Sequence, residues 1–153
     1  MNHGSVVGIF IAPDAGQPMT SVDVVRAVPG RGLEGDRYFK RKGTFWKAEP
    51  DFEVTLIEEE AIIALKRDYG IDLAPGSARR NLVTRGAALN HLVGRDFKVG
   101  DVLLRGIRLC EPCSYLEKVN GTKLIRGLRH RGGLRAQIVS AGEFRNGDEL
   151  QAV

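Results

Sequence analysis

Apolar positions fall in short, β-branched stretches separated by glycine, proline and polar residues. Residues 5–11, Ser-Val-Val-Gly-Ile-Phe-Ile, predict a strand that ends in the loop Ala12-Pro13-Asp14-Ala15-Gly16-Gln17-Pro18. Residues 22–28 predict a second strand, stopped by Pro29-Gly30, and residues 52–57 a third. Residues 31–50 are polar and glycine-bearing with no sustained period, which reads as a long functional or flexible loop holding at most a short turn of helix.

Residues 58–69 carry the clearest helical signal. Thr55 and Glu58 have capping-box spacing, glutamates fill the first turn, Lys66 and Arg67 lie near the end, and Gly70 suits the left-handed stop. Ile57, Ala61 and Leu65 recur at helical spacing as a core-facing stripe, which Ile62 and Ala64 broaden. Beyond the Pro75-Gly76 turn, residues 80–84 predict a strand and residues 87–93 a single helical turn. Strands over 95–99 and 102–109 join at Gly100-Asp101, short helices over 112–120 and 122–129 break at Gly121, and strands follow over 134–140 and 148–152.

One internal echo links Phe97-Lys98-Val99-Gly100-Asp101-Val102-Leu103 with Phe144-Arg145-Asn146-Gly147-Asp148-Glu149-Leu150. Each reads as a strand, a Gly-Asp turn and another strand, with spacing too irregular for a repeat architecture. Two such hairpins in a strand-rich chain predict a mainly β (α+β) fold, a small β-barrel with a few helices packed outside.

Composition narrows the class. With 153 residues, 42% of them apolar and 27% charged, the chain is expected to form one domain over residues 1–153, neither disordered nor fibrous. No apolar run approaches the roughly 18–20 residues of a membrane span. The first ten residues lack the basic lead of a signal peptide, so the expected location is cytoplasmic, with no membrane partner. Two cysteines, Cys110 and Cys113, are too few and too close for a secreted disulfide scaffold.

The net charge of +4 is mild, but its distribution is uneven. Residues 118–142 hold six Lys or Arg and residues 73–95 hold four Arg, both without an acid. Such stretches suit an anionic partner or two solvated faces. At 7% aromatic content the chain offers few stacking platforms, which disfavours nucleic acid.

Four segments could carry chemistry. Cys110-Glu111-Pro112-Cys113 reads as half a zinc site, a redox pair, a single reactive thiolate or two inert thiols. A helix starting at Pro112 would place Cys113 in its first turn, where the helix N-terminus favours a thiolate. Arg79-Arg80-Asn81 offers forked guanidinium groups and an amide for an anion. Gly32-Leu33-Glu34-Gly35-Asp36-Arg37-Tyr38 has glycines that let backbone N–H groups approach a ligand, with Asp36–Arg37 as a local ion pair. Arg131-Gly132-Gly133 is basic and precedes a strand, so it suits a phosphate or a chain turn.

In this order, the segments from Gly32-Leu33-Glu34-Gly35-Asp36-Arg37, through Arg80-Asn81-Leu82-Val83, residues 97–103 and Cys110-Glu111-Pro112-Cys113, to Arg131-Gly132-Gly133-Leu134-Arg135-Ala136 resemble a MOSC domain. That family is named for the C-terminal domain of molybdenum-cofactor sulfurases. The resemblance spans roughly residues 30–150 and is to short stand-alone bacterial members.

The resemblance implies a barrel-like fold and a pocket for the molybdenum cofactor (molybdopterin), a pterin with a dithiolene and a phosphate. It implies that Cys113 ligates molybdenum, or holds a persulfide in sulfur-carrier members. Arg80 and Asn81 would hold the cofactor's anionic part, assisted by Arg79, with Asp36, Arg37, Arg131 and Gly132 lining the same mouth. The implied activity is reduction of N-hydroxylated or N-oxide compounds, or sulfur transfer from Cys113. An external electron donor or a sulfur donor protein would then be the partner. The sequence departs from the pattern at Tyr38, where many short relatives have histidine.

Overall fold

The computed structural model describes residues 2–44 and 46–153. In chain order the elements are β1 (His3–Ile11), β2 (Thr20–Ser21), β3 (Val24–Val28), β4 (Gly32–Leu33), β5 (Val54–Glu58) and α1 (Glu59–Tyr69). Next come β6 (Leu82–Arg85), β7 (Asp96–Val99), β8 (Val102–Leu109), α2 (Ser114–Asn120), α3 (Ile125–Leu128), β9 (Leu134–Ile138), β10 (Gly142–Arg145) and β11 (Glu149–Ala152). Short 3-10 turns cover Pro50–Phe52, Pro75–Ala78 and Leu89–Leu92.

Seven strands close a ring in the order β11-β7-β8-β9-β5-β6-β1, with β1 pairing back to β11 and β2 appended to β1. Closure removes the free edges an open sheet would expose. Only β5 and β6 pair in parallel among the ring neighbours, because α1 makes the crossover between them. A small sheet, β10-β3-β4, adds Val25, Ala27, Leu33 and Phe144 to the barrel core.

Alternation along the strands sorts the side chains into two cores. Val6, Val54, Leu56, Leu82, Leu104 and Leu134 point into the barrel. Ile57 and Val83 point outward, where Ala61, Leu65, Leu116 and Leu128 of the helices cover them. β5 and β6 are therefore buried on both faces, and each is buried along all but its last residue. Each fully buried Leu or Ile contributes about 1.5–3 kcal/mol of transfer free energy.

The helix at residues 58–69 forms as expected, with Gly70 in the left-handed region at φ 68° and its N–H bonded to Leu65 and Lys66 carbonyls. The capping box does not form. Glu58 is the N-cap with no side-chain cap bond, and Thr55 lies inside β5 with its hydroxyl bonded to Asn81. Glu60 instead reaches the Gly86 N–H and Glu58 the Leu89 N–H.

The internal echo resolves into two different structures. β7 and β8 make the expected hairpin, with Val99 opposite Val102. The second Gly-Asp turn joins no hairpin: β10 pairs with β3, while β11 pairs with β1 and β7. This turn carries the chain from the small sheet into the barrel, fixed by Arg145 N–H on Asp148 Oδ2 at 2.8 Å. Other boundaries move by one to three residues. β3 starts at Val24, β6 at Leu82 and α3 at Ile125, and β9 stops at Ile138. β2 and β4, two residues each, are too short to leave a periodic signal.

Candidate functional site

On the outer face of the barrel wall, Thr55 of β5 lies opposite Arg135 of β9, and Arg135 opposite Arg108 of β8. These residues alternate with the inward Val54, Leu56, Leu134 and Ala136, so they form a polar row facing away from the core. Two segments cover this row and enclose a chamber: the loop after β4, through Arg37, Tyr38 and Thr44, and the segment from Cys110 to Leu116.

The loop segment is built around Asp36, which is fully buried. Its Oδ1 accepts from Ala12 N–H at 3.0 Å and from Arg37 Nη1 at 3.1 Å, and its Oδ2 accepts from Tyr38 N–H at 3.3 Å. Asp36 thus positions Arg37 and does not itself line the chamber. Arg37 stacks over Tyr38, 4.7 Å from the ring centroid. Residues 31–50, expected as a loop, hold β4 and a series of turns.

Arg79, Arg80 and Asn81 diverge in role. Arg79 ends a 3-10 turn with φ at 61° and sends Nη1 to the Gln17 carbonyl at 2.7 Å. Arg80 donates to three backbone carbonyls, Gly132 at 2.8 Å, Ala78 at 3.2 Å and Cys110 at 3.1 Å. No carboxylate pairs with it among the described residues, and two of its five N–H donors are unspent on those bonds. Asn81 is 1% exposed and spends its amide on Thr55 and Phe10, so it clamps strands and does not line the chamber.

Cys113 is the N-cap of α2, in extended conformation at φ −137° and ψ 170°, so it precedes the first turn in which it was expected. Its carbonyl accepts the Glu117 N–H, and the helix begins at Ser114. Both cysteines are free thiols and both line the chamber; Cys110 is buried and Cys113 half-buried. Between them Glu111 takes the His130 backbone N–H at 2.7 Å and the His130 ring Nδ1 at 2.6 Å.

The chamber is rich in positive charge. Arg37, Arg79, Arg80 and Arg135 line it, against Glu111 as the one lining carboxylate. Burial, followed by the nearby Arg37 charge, lowers the pKa of Arg79 below the usual guanidinium value. Burial also opposes the charge on Arg135, but Cys110, Tyr38 and Asp51 outweigh it and hold its pKa above the usual value. Arg135 Nε is buried without a hydrogen-bond partner among the described residues. An anion entering here would meet unspent donors and relieve like-charge repulsion.

The structure therefore brings together Arg37, Arg79, Arg80 and Cys113 from the residues singled out in sequence. Gly132 sits behind them, supplying the Arg80 carbonyl partner; a Cβ there would lie 2.4 Å from the Cys110 carbonyl oxygen. Arg131 is exposed and stands apart, its charge acting on Glu58 and Asp68. Sequence reasoning did not single out Arg135, Thr55 or Tyr115 as site residues. The available signal for Arg135 was parity, a cation between the inward Leu134 and Ala136. Tyr38, at the position of the absent histidine, is 5% exposed and lines the chamber.

A second, outer recess shares Thr44, Glu111, Cys113 and Arg135 with the chamber. Among the described residues no helix is long and apolar enough to cross a membrane.

The MOSC domain family model matches residues 43–151, starting just after the Asp36–Arg37 pair. Among curated proteins none matches the chain in sequence. Solved structures share the fold. The YuaD protein of Bacillus subtilis superposes with a TM-score of 0.79 at 16% identity, over 98% of this chain and 95% of that one. YiiM of Geobacillus stearothermophilus gives 0.76 at 16% identity, over 98% and 75% of the two chains. YiiM of Escherichia coli gives 0.71 at 19% identity, over 99% and 69%.

Proposed function

Because the chain belongs to the MOSC domain family, we propose that its basic chamber holds the molybdenum cofactor and that the loaded protein reduces N-hydroxylated or N-oxide compounds. The observation that carries this reading is the convergence of four guanidinium groups and the Cys113 thiol on one cavity. The residues fit the group. The cofactor's phosphate needs N–H donors and positive charge, which Arg37, Arg79 and Arg135 offer. Its metal takes soft sulfur ligands, which Cys113 offers.

When bound, the cofactor supplies a two-electron redox centre. The chain's own residues would bind and orient it: Arg79 from the turn before β6, Arg135 from β9, and Arg37 from the loop that Asp36 fixes. Arg80 ties the Cys110 carbonyl to Gly132, so it holds the cysteine segment in place. Electrons would come from an external donor protein.

The test is metal analysis of protein purified without oxygen from cells that make the cofactor. Near-stoichiometric molybdenum is expected, lost in Cys113→Ala and kept in Cys110→Ala. Undiminished molybdenum in Cys113→Ala would overturn the ligand assignment.

The half-buried position of Cys113 supports a second reading, a sulfur carrier. The Cys113 thiolate would take the outer sulfur of a donor persulfide, leaving the donor as a thiol. Mass spectrometry after incubation with such a donor reads the added sulfur on Cys113. Its absence removes this alternative.

A further inference from the structure

The outer recess differs in chemistry from the chamber it adjoins. Trp46 and Phe52 form an aromatic wall, and Lys47 and Arg108 add cations. Phe52 is built into the wall: it is 5% exposed, edge-on to Tyr38, with the Arg135 and Arg108 guanidinium carbons 4.8 and 5.9 Å from its ring centroid. Trp46 is half-buried, with Arg41 5.7 Å from its ring centroid.

The charges of the recess are unequally committed. Arg108 is held by Asp51 at 2.5 Å. Glu111, the lining carboxylate, is occupied by His130 through both oxygens. Lys47 is exposed and has no ion-pair partner among the described residues. The half-buried Trp46, backed by Phe52 and beside an uncommitted cation, suits a flat ring that carries a negative group: the ring stacks on Trp46, and the anion meets the ammonium. A ligand seated there lies against Cys113.

We propose that this recess is the substrate site and that it selects planar aromatic compounds bearing a carboxylate or phosphate. The assignment as substrate site rests on the reading of Cys113 given above; the ligand class rests on the recess alone.

Trp46 is the single tryptophan of the chain, so intrinsic fluorescence reports on the recess directly. The purified chain is titrated with nicotinate, its neutral isostere nicotinamide, and acetate. A parallel series uses AMP, adenosine and inorganic phosphate. Saturable quenching is expected from nicotinate or AMP, with binding weaker for the neutral partner and no quenching by the ringless anion. The larger of the two charged-to-neutral affinity ratios, nicotinate over nicotinamide or AMP over adenosine, identifies carboxylate or phosphate as the preferred group. Lys47→Ala is expected to weaken the charged ligand about tenfold and leave the neutral one unchanged.

Three outcomes would overturn the proposal: no saturable quenching by nicotinate or AMP, equal binding of charged and neutral partners, or Lys47→Ala binding as the parent does. Molybdenum content of the same preparations is measured separately. Recess binding that fails while Cys113-dependent metal persists sinks this inference alone. Metal that ignores Cys113 while quenching persists sinks the cofactor reading alone.

Discussion

Thr55 and Asn81 hold each other by main chain and side chain at once. Asn81 Oδ1 accepts from the Thr55 N–H at 3.1 Å and from its hydroxyl at 3.2 Å, while the Asn81 N–H reaches Thr55 Oγ1 at 3.1 Å. The Asn81 amide then donates to the Phe10 carbonyl at 3.1 Å, so one side chain joins the segments of β1, β5 and β6. Asn81→Ala leaves a buried N–H and carbonyl short of partners. A loss of about 3 kcal/mol is expected, read as a lower urea midpoint, with Cys113→Ala as a control that barely moves it.

Adjacent arginines should separate by phenotype. Arg80→Ala orphans the carbonyls of Ala78, Cys110 and Gly132 and is expected to cost about 2–4 kcal/mol. The Arg79 side chain makes one hydrogen bond among the described residues, to a loop carbonyl, and is pressed by burial and by Arg37. Arg79→Gln is therefore expected to keep its thermal midpoint within about 2 °C and to lose molybdenum. Thermal melts and metal analysis on the same samples check both.

Glu53 sets a pH dependence of known sign. Burial raises its carboxyl pKa above the usual value, opposed by the Ile138 and Gly30 N–H groups that its Oε1 accepts. Between the unfolded value and this raised one, the native state binds more protons than the unfolded state. Stability from this group is full below the window and falls as pH rises through it. Glu53→Gln cannot ionise, so its stability relative to the parent should grow with pH through that window and then level off. Urea unfolding at a series of pH values from mildly acidic to neutral checks this.

Gly133 is expected to be irreplaceable. Its φ is +116°, and a Cβ there would stand 2.1 Å from the Leu56 carbonyl oxygen, inside the β5–β9 pairing. Gly133→Ala should fail to accumulate as folded protein. Gly121→Ala meets nothing within 4 Å, so it should cost only the left-handed backbone, about 1 kcal/mol. Soluble yield and circular dichroism separate the two.

Local signals were legible where one element decides its own form. Ala61, Ile62 and Leu65 and the stop at Gly70 define α1 without reference to the barrel, whereas Ile57, which continues the same spacing, belongs to β5. Signals failed where a distant partner decides. Thr55 has the spacing of a cap, yet Asn81, far along the chain, takes its hydroxyl. The two Gly-Asp turns look alike, yet β3 draws β10 away from β11. The candidate site divides in the same way. Cys113, Arg37, Arg79 and Arg80 could be picked by residue type, but Arg135 enters the chamber through strand register, and Asn81 leaves it through burial.

Ring closure has a consequence for the order in which the chain is synthesised. β11, last of the strands to leave the ribosome, seals the ring by pairing with β1, the first, and with β7. Until it emerges, β1 and β7 each present an unpaired edge beside an apolar interior. The nascent chain is most exposed to aggregation in that interval, and the barrel can complete only after translation has reached β11.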